Sequence, residues 1–191
     1  MQVAFRRTGE RRYAVIVQVA GEPAQAMNPA PGFDPHIPHD LVHYVVEAEL
    51  RFEGGVFGRA ARGGGTFYPA DGAAGGRDQA RKRRQQARRE RALQRDRGNE
   101  GQLADSERLA YLCDVTWRRR QGQRPNPAFV GAPAQVPAAD AARVDRVVAQ
   151  LERLAPLWNG LAEGGELVFT WPSLQPAVKA GAAAPARASE F

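Results

Sequence analysis

All three histidines of the 191-residue chain fall within eight residues, in the stretch DPHIPHDLVHYVVEAEL (residues 34–50), which also holds Asp40 and Glu47. Imidazole titrates near neutrality and is the commonest ligand of divalent metals, so such a cluster asks for a chemical reason. Neutral rings placed side by side gain little from one another, and protonated rings repel. His39 and His43 are four residues apart. On a helix that spacing puts two rings on one face, where their nitrogens can share an ion at about 2.0–2.1 Å from each. Measured around the helix from His39, His43 falls at about 40°, Glu47 at about 80° and Asp40 at about 100°. These polar groups form one arc. Leu41, Val42, Tyr44, Val45, Val46 and Ala48 occupy most of the other positions, which predicts a helix sandwiched in the domain with the arc opening to solvent or a cleft.

Two nitrogens do not complete a metal site. His36 lies in a proline-stiffened loop just ahead of the helix (Pro29, Pro31, Pro35, Pro38) and is the first candidate for a third donor, giving His-x2-His-x3-His. A carboxylate such as Asp34, Glu47 or Glu53 is the alternative. Zinc is the metal expected for such a set, and metal-dependent hydrolysis is the chemistry it would support. Asp40 is assigned as general base or as a group that orients a ligand. Glu47, about 12 Å along the axis from His39, is assigned to orient the His43 ring. The competing reading is structural: Asp40 in the first helical turn satisfies free N–H groups and the helix dipole, and a helical histidine can bond a nearby carbonyl.

HDLVH (residues 39–43) resembles the HExxH helix of zinc metalloproteases with aspartate in place of glutamate. Two departures count against a protease: Asp40 is one methylene shorter than the glutamate that activates water there, and no histidine follows His43. The wider stretch HDLVHYVVEAELRFEGGVFGRAARGG is similar to a group of small bacterial proteins sharing the pattern HDLxHxxVE followed by a glycine/aromatic segment. That resemblance covers about residues 38–65 and implies no particular activity.

The elements that must hold these residues are legible from periodicity. Ile37-Pro38 predicts the helix start, because proline suits the first turn and drives the residue before it out of the α region. QVAFRR (2–7) and RYAVIVQV (12–19), joined through Gly9, predict an antiparallel hairpin, with Tyr13, Val15, Val17 and Val19 on one face of the second strand. A basic, apolar, small-residue order near the N-terminus raises a secretion signal, but the short β-branched run containing Gln18 favours strand. GELVFTW (165–171) predicts a third strand ended by Pro172. Leu109, Leu112, Cys113, Thr116 and Trp117 mark one helix over 103–119, and Val144, Val147, Val148, Leu151 and Ala155 mark another over 139–155, which Pro156 should kink or stop before Trp158. Cys113 within its stripe is expected to be an inert buried thiol.

The fold class expected is α+β: a small, mainly antiparallel sheet made of the N-terminal hairpin and the C-terminal strand, packed with about three helices, with a protruding basic helix. One domain spans 1–172, and the Ala/Pro-rich residues 173–191 are expected to be a disordered tail. Residues 77–97 (RDQARKRRQQARRERALQRDR) carry ten Lys and Arg against three Asp and Glu, a local charge of +7 in a chain of +6, so the remainder sums to −1. Few apolar residues interrupt this insertion, so it should project into solvent or be partly disordered. Its functional reading is contact with nucleic-acid phosphate or an acidic protein partner through Arg81, Lys82, Arg83, Arg84, Arg88 and Arg89. No aromatic interleaves them to stack on bases, and the chain has 25 Arg to 2 Lys throughout, a bias that dilutes the significance of arginine here. GGVFGRAARGGG (54–65) lacks the lysine and hydroxyl residue of a phosphate loop. No apolar run reaches the eighteen or so residues of a membrane span, and the single cysteine excludes an internal disulfide and fits a cytoplasmic protein, the expectation here, as well as a disulfide-free secreted one.

Overall fold

Alternating apolar residues build the hairpin: β1 (Gln2–Arg7) and β2 (Tyr13–Gln18) pair antiparallel, with Val3 opposite Val17 and Phe5 opposite Val15. The computed structural model describes residues 1–10, 12–27, 34, 36–64, 67–69, 84, 87, 91, 101–124 and 135–181. β5 (Glu166–Thr170) lies on the other side of β1, with Phe169 opposite Val3. Three further strands extend this core: β3 (Gln25–Met27) on β2, β4 (Phe67–Pro69) on β3 and β6 (Ala177–Lys179) on β5. The sheet order is β4-β3-β2-β1-β5-β6, and every neighbouring pair is antiparallel. Val3, Phe5, Tyr13, Val15, Val17, Leu167 and Phe169 are buried on one face, as the two-residue period of a strand demands. Ala4, Ala14, Ile16 and Val168 on the other face are half-buried.

The helices cover the buried face. α1 (His39–Leu50) starts just after Pro38, whose carbonyl accepts from the Leu41 and Val42 N–H groups. All eight residues from Leu41 to Ala48 are buried, so α1 is packed on every side. Tyr44 meets Phe5, Phe57, Phe169 and Trp171, with ring centroids 4.7–5.8 Å apart. α2 (Val56–Ala61) follows, then α3 (Gln102–Arg120) and α4 (Ala141–Asn159); α1 packs against all three. The two stripes read from periodicity are the packed faces: Leu109, Leu112, Cys113 and Trp117 of α3, and Val144, Val147, Val148, Leu151 and Ala155 of α4, are buried. The α+β class stands, with four α-helices and six strands described where about three of each were expected.

Pro156 neither stops α4 nor separates Trp158 from it, since the helix runs on to Asn159. Proline in the last turn faces solvent and removes only one hydrogen bond near an end that frays anyway. Trp158 stays on the core face and packs edge-on against Tyr13, centroids 6.2 Å apart. The stretch expected to be a disordered tail begins with structure, because Ala177–Lys179 pair with Glu166–Val168; residues 182–191 lie outside the described residues. Within the glycine-rich run after α1, Val56–Ala61 form α2. Gly58 is required there, since a Cβ would lie 2.5 Å from the Phe52 and Glu53 carbonyl oxygens. Of the basic insertion, Arg84, Ala87 and Arg91 are described, each helical and exposed; Arg81, Lys82, Arg83, Arg88 and Arg89 lie outside the described residues. Among the described residues no helix is long and apolar enough to cross a membrane.

Candidate metal centre

The four-residue spacing on α1 brings the two rings together. His39 Nε2 and His43 Nε2 are 3.1 Å apart, with the rings edge-to-face and centroids 4.6 Å apart. Two nitrogens bound tetrahedrally to one ion at 2.0–2.1 Å would be separated by about 3.3 Å. The third donor comes from α3: Glu107 Oε2 is 3.5 Å from His43 Nε2, and the donor atoms of His39, His43 and Glu107 all lie within 4.8 Å of one another. Glu107 is exposed, His39 half-buried and His43 buried. The cluster thus opens outward on the carboxylate side. These three donors could hold a divalent ion, and three protein ligands would leave one tetrahedral position open.

His36 is not a member of this group. Its backbone N–H, with that of Ile37, donates to Asp34 Oδ1, which shapes the loop leading into α1. Asp34 itself is committed to Arg118, whose Nη2 lies 2.6 Å from Asp34 Oδ2, while Arg118 Nε donates to Asp114 Oδ2 at 2.8 Å. All three side chains are buried. Burial raises the Asp114 carboxyl above its usual range against the pull of Arg118. Neither Asp34 nor Glu53 enters the metal group.

The polar arc, expected to open to solvent or a cleft, is half-buried at His39 and Asp40 and covered at His43 and Glu47, where Ser106 of α3 meets it. Glu47 is fully buried. Its Oε1 accepts from the Val56 N–H at 2.8 Å and from the Ser106 hydroxyl at 2.9 Å, and its Oε2 accepts from the Phe57 N–H at 2.8 Å and the Gly58 N–H at 3.4 Å. The carboxylate therefore sits at the N-terminus of α2, where unpaired N–H groups and the helix dipole favour negative charge. Gly55 makes the seat possible, since a Cβ there would lie 2.2 Å from the Glu47 carboxyl carbon. Burial raises the Glu47 pKa to about 6, and the bonds from Phe57, Ser106, Val56 and Gly58 hold it from rising further. Glu47 reaches His43 only through Ser106, whose Oγ is 3.2 Å from His43 Nδ1. The Ser106 hydroxyl is thus interposed between Glu47 and the His43 ring that it was expected to orient.

Asp40 turns to the sheet: the Tyr13 hydroxyl donates to Asp40 Oδ2 at 2.5 Å. Burial raises the Asp40 carboxyl above the usual carboxylate range, opposed by the Tyr13 bond and by the nearby His39. His43 is driven the other way. Burial, with His39 alongside, lowers its pKa to about 3, so its ring is neutral and able to ligate across the physiological range. Cys113 is buried as expected, and burial pushes its thiol up to about 12.

Ser106 and Glu107 were not singled out by their residue types. Ser106 did carry a signal: it precedes Leu109 by three and Cys113 by seven, which puts a hydroxyl on the apolar stripe of α3. A polar residue at such a position needs a buried partner. Gln102, at the start of α3, accepts from the Gly54 N–H at 2.8 Å and ties that end of the helix to the turn after α1. No family model, curated protein or solved structure matches the chain.

Proposed function

We propose that this chain binds one divalent transition-metal ion, zinc in the first instance, through His39 Nε2, His43 Nε2 and Glu107, and that metal-assisted hydrolysis is the reaction class open to it. The observation that carries the reading is the convergence of three donor atoms from two helices within 4.8 Å, with ligand-like spacings of 3.1 and 3.5 Å from His43 Nε2. Two imidazoles and one carboxylate favour zinc over magnesium or calcium, which prefer all-oxygen shells. When bound, such an ion acidifies a coordinated water and polarises a carbonyl or phosphoryl oxygen. The chain's own part is to present two fixed nitrogens, to keep the third donor at the surface, and to leave an approach on the Glu107 side.

In this reading Asp40, held by the Tyr13 hydroxyl, acts on His39 through its charge alone, and Glu47 supports His43 through Ser106. Neither is assigned to the reacting atoms. The test is a calorimetric titration of the metal-stripped protein with zinc. The expected result is about one equivalent bound per chain, abolished in His43→Ala and weakened in Glu107→Ala while His36→Ala binds as the parent does. Absence of uptake by the parent protein, or uptake that survives His43→Ala, would overturn the reading.

A further inference from the structure

Glu47, Ser106, His43 and His39 form one chain of polar contacts, and the chemistry at its buried end dictates where the hydrogens lie. Both Glu47 oxygens face donors: two backbone N–H groups at Oε2, and one backbone N–H plus the Ser106 hydroxyl at Oε1. Three backbone N–H groups and a hydroxyl aimed at its two oxygens favour the ionised carboxylate, which is an acceptor at both. A carboxylate attracts a hydroxyl hydrogen more strongly than a neutral ring nitrogen does. Ser106 has one hydrogen to give, and it goes to Glu47. Its oxygen then has only lone pairs to offer His43 Nδ1 at 3.2 Å. That nitrogen must be the donor.

We infer that Ser106 is a positioning residue that locks His43 as the Nδ1–H tautomer, leaving Nε2 as the lone-pair nitrogen facing the metal position. The inference rests on the proposed metal site for its purpose, though not for its geometry. It has a consequence for the neighbouring ring. With the lone pair of His43 Nε2 directed at His39 Nε2 across 3.1 Å, the metal-free contact requires a hydrogen on His39 Nε2. Binding an ion replaces that hydrogen bond. For His39 to ligate through Nε2, its ring hydrogen must move to Nδ1, a change of tautomer. The two ligands therefore behave differently: His43 is preorganised, and His39 rearranges.

Nitrogen-15 NMR of the imidazole rings reads this directly. In the metal-free protein His43 should show a protonated Nδ1 and an unprotonated Nε2, with His39 showing the reverse. Zinc should convert His39 and leave the hydrogen of His43 in place. Ser106→Ala should release the tautomer preference of His43 and weaken zinc binding about 10–100-fold, and Ser106→Thr, which keeps the hydroxyl, should restore both. A hydrogen on His43 Nε2 in the parent protein would overturn the inference without recourse to any variant, as would Ser106→Ala leaving tautomer and affinity unchanged. Parent protein with His43 in the Nδ1–H form that takes up no zinc upholds the lock and overturns the metal reading alone.

Discussion

Two buried polar clusters flank α1, and they are built on different terms. In the first, Arg118 faces Asp34 and Asp114, all three side chains are buried, and the charges answer one another inside the protein. In the second, Glu47 and Ser106 are just as buried, but the chain of contacts runs outward through His43 to the half-buried His39 and the exposed Glu107. The first cluster closes on itself and pins the loop before α1. The second ends in three atoms of metal-ligand type that meet near the surface. Buried charge that is paired internally has a structural explanation. Buried charge that serves to aim a ring toward an open position is what a binding site needs.

Removing a partner from the closed cluster should produce the largest effect. Arg118→Ala leaves two carboxylates buried without their cation and should cost about 3–5 kcal/mol of stability, measured by urea unfolding. A loss under about 1 kcal/mol would mean that the cluster is hydrated and not closed. Next, Gly55→Ala should cost upward of about 2 kcal/mol, because the new methyl group and the Glu47 carboxylate cannot occupy one space. The same variant should disturb zinc binding, which Arg118-independent packing changes elsewhere would not.

The open cluster should show itself in pH dependence. His43 has a pKa of about 3 in the folded protein against 6.5 for the ordinary ring, so on acidification the unfolded chain gains a proton that the folded chain refuses. Stability is then fully present above about pH 6.5 and falls as the pH drops toward 3. Between about pH 7.5 and about pH 5 this contributes a loss of about 2 kcal/mol. Glu47 acts in the opposite sense over part of that range, because its folded pKa of about 6 exceeds its ordinary 4.5 and its ionisation as pH rises is destabilising. Comparing His43→Leu with the parent isolates the histidine: the variant should lack that acid-side loss, and a parallel pH profile would contradict the burial argument. The smallest effect is expected at the exposed pair between α3 and α4, Arg120 with Asp145, where Asp145→Asn should change stability by less than about 0.5 kcal/mol.

Much of the scaffold was legible from period and punctuation. Val15 and Val17 alternate on β2, Leu109 to Trp117 and Val144 to Ala155 repeat at helical spacing, and Pro38 marks the start of α1. What escaped was set by tertiary contact. β3, β4 and β6 are three residues each, too short to display a two-residue period. α2 begins at a glycine pair and gives no helix signal of its own, because the carboxylate that caps it is supplied by Glu47 on another helix. Pro156 looked like a stop and was tolerated at a helix end.

The candidate site divides in the same way. His39 and His43 were readable because their pairing is local to one helix. Glu107 was not, because it lies 64 residues beyond His43 and is brought near only by α3 crossing α1. His36 was attractive for its nearness in sequence. Loop geometry, with Asp34 accepting from two backbone N–H groups, holds that segment to other work.

A crystal of the protein soaked in zinc, with anomalous scattering recorded at the zinc edge, tests the central claim most directly. The account predicts one strong peak at about 2.0–2.2 Å from His39 Nε2, His43 Nε2 and a Glu107 oxygen. Zinc bound elsewhere while this position stays empty, or no zinc at all with the two rings still 3.1 Å apart in hydrogen-bond contact, would contradict it.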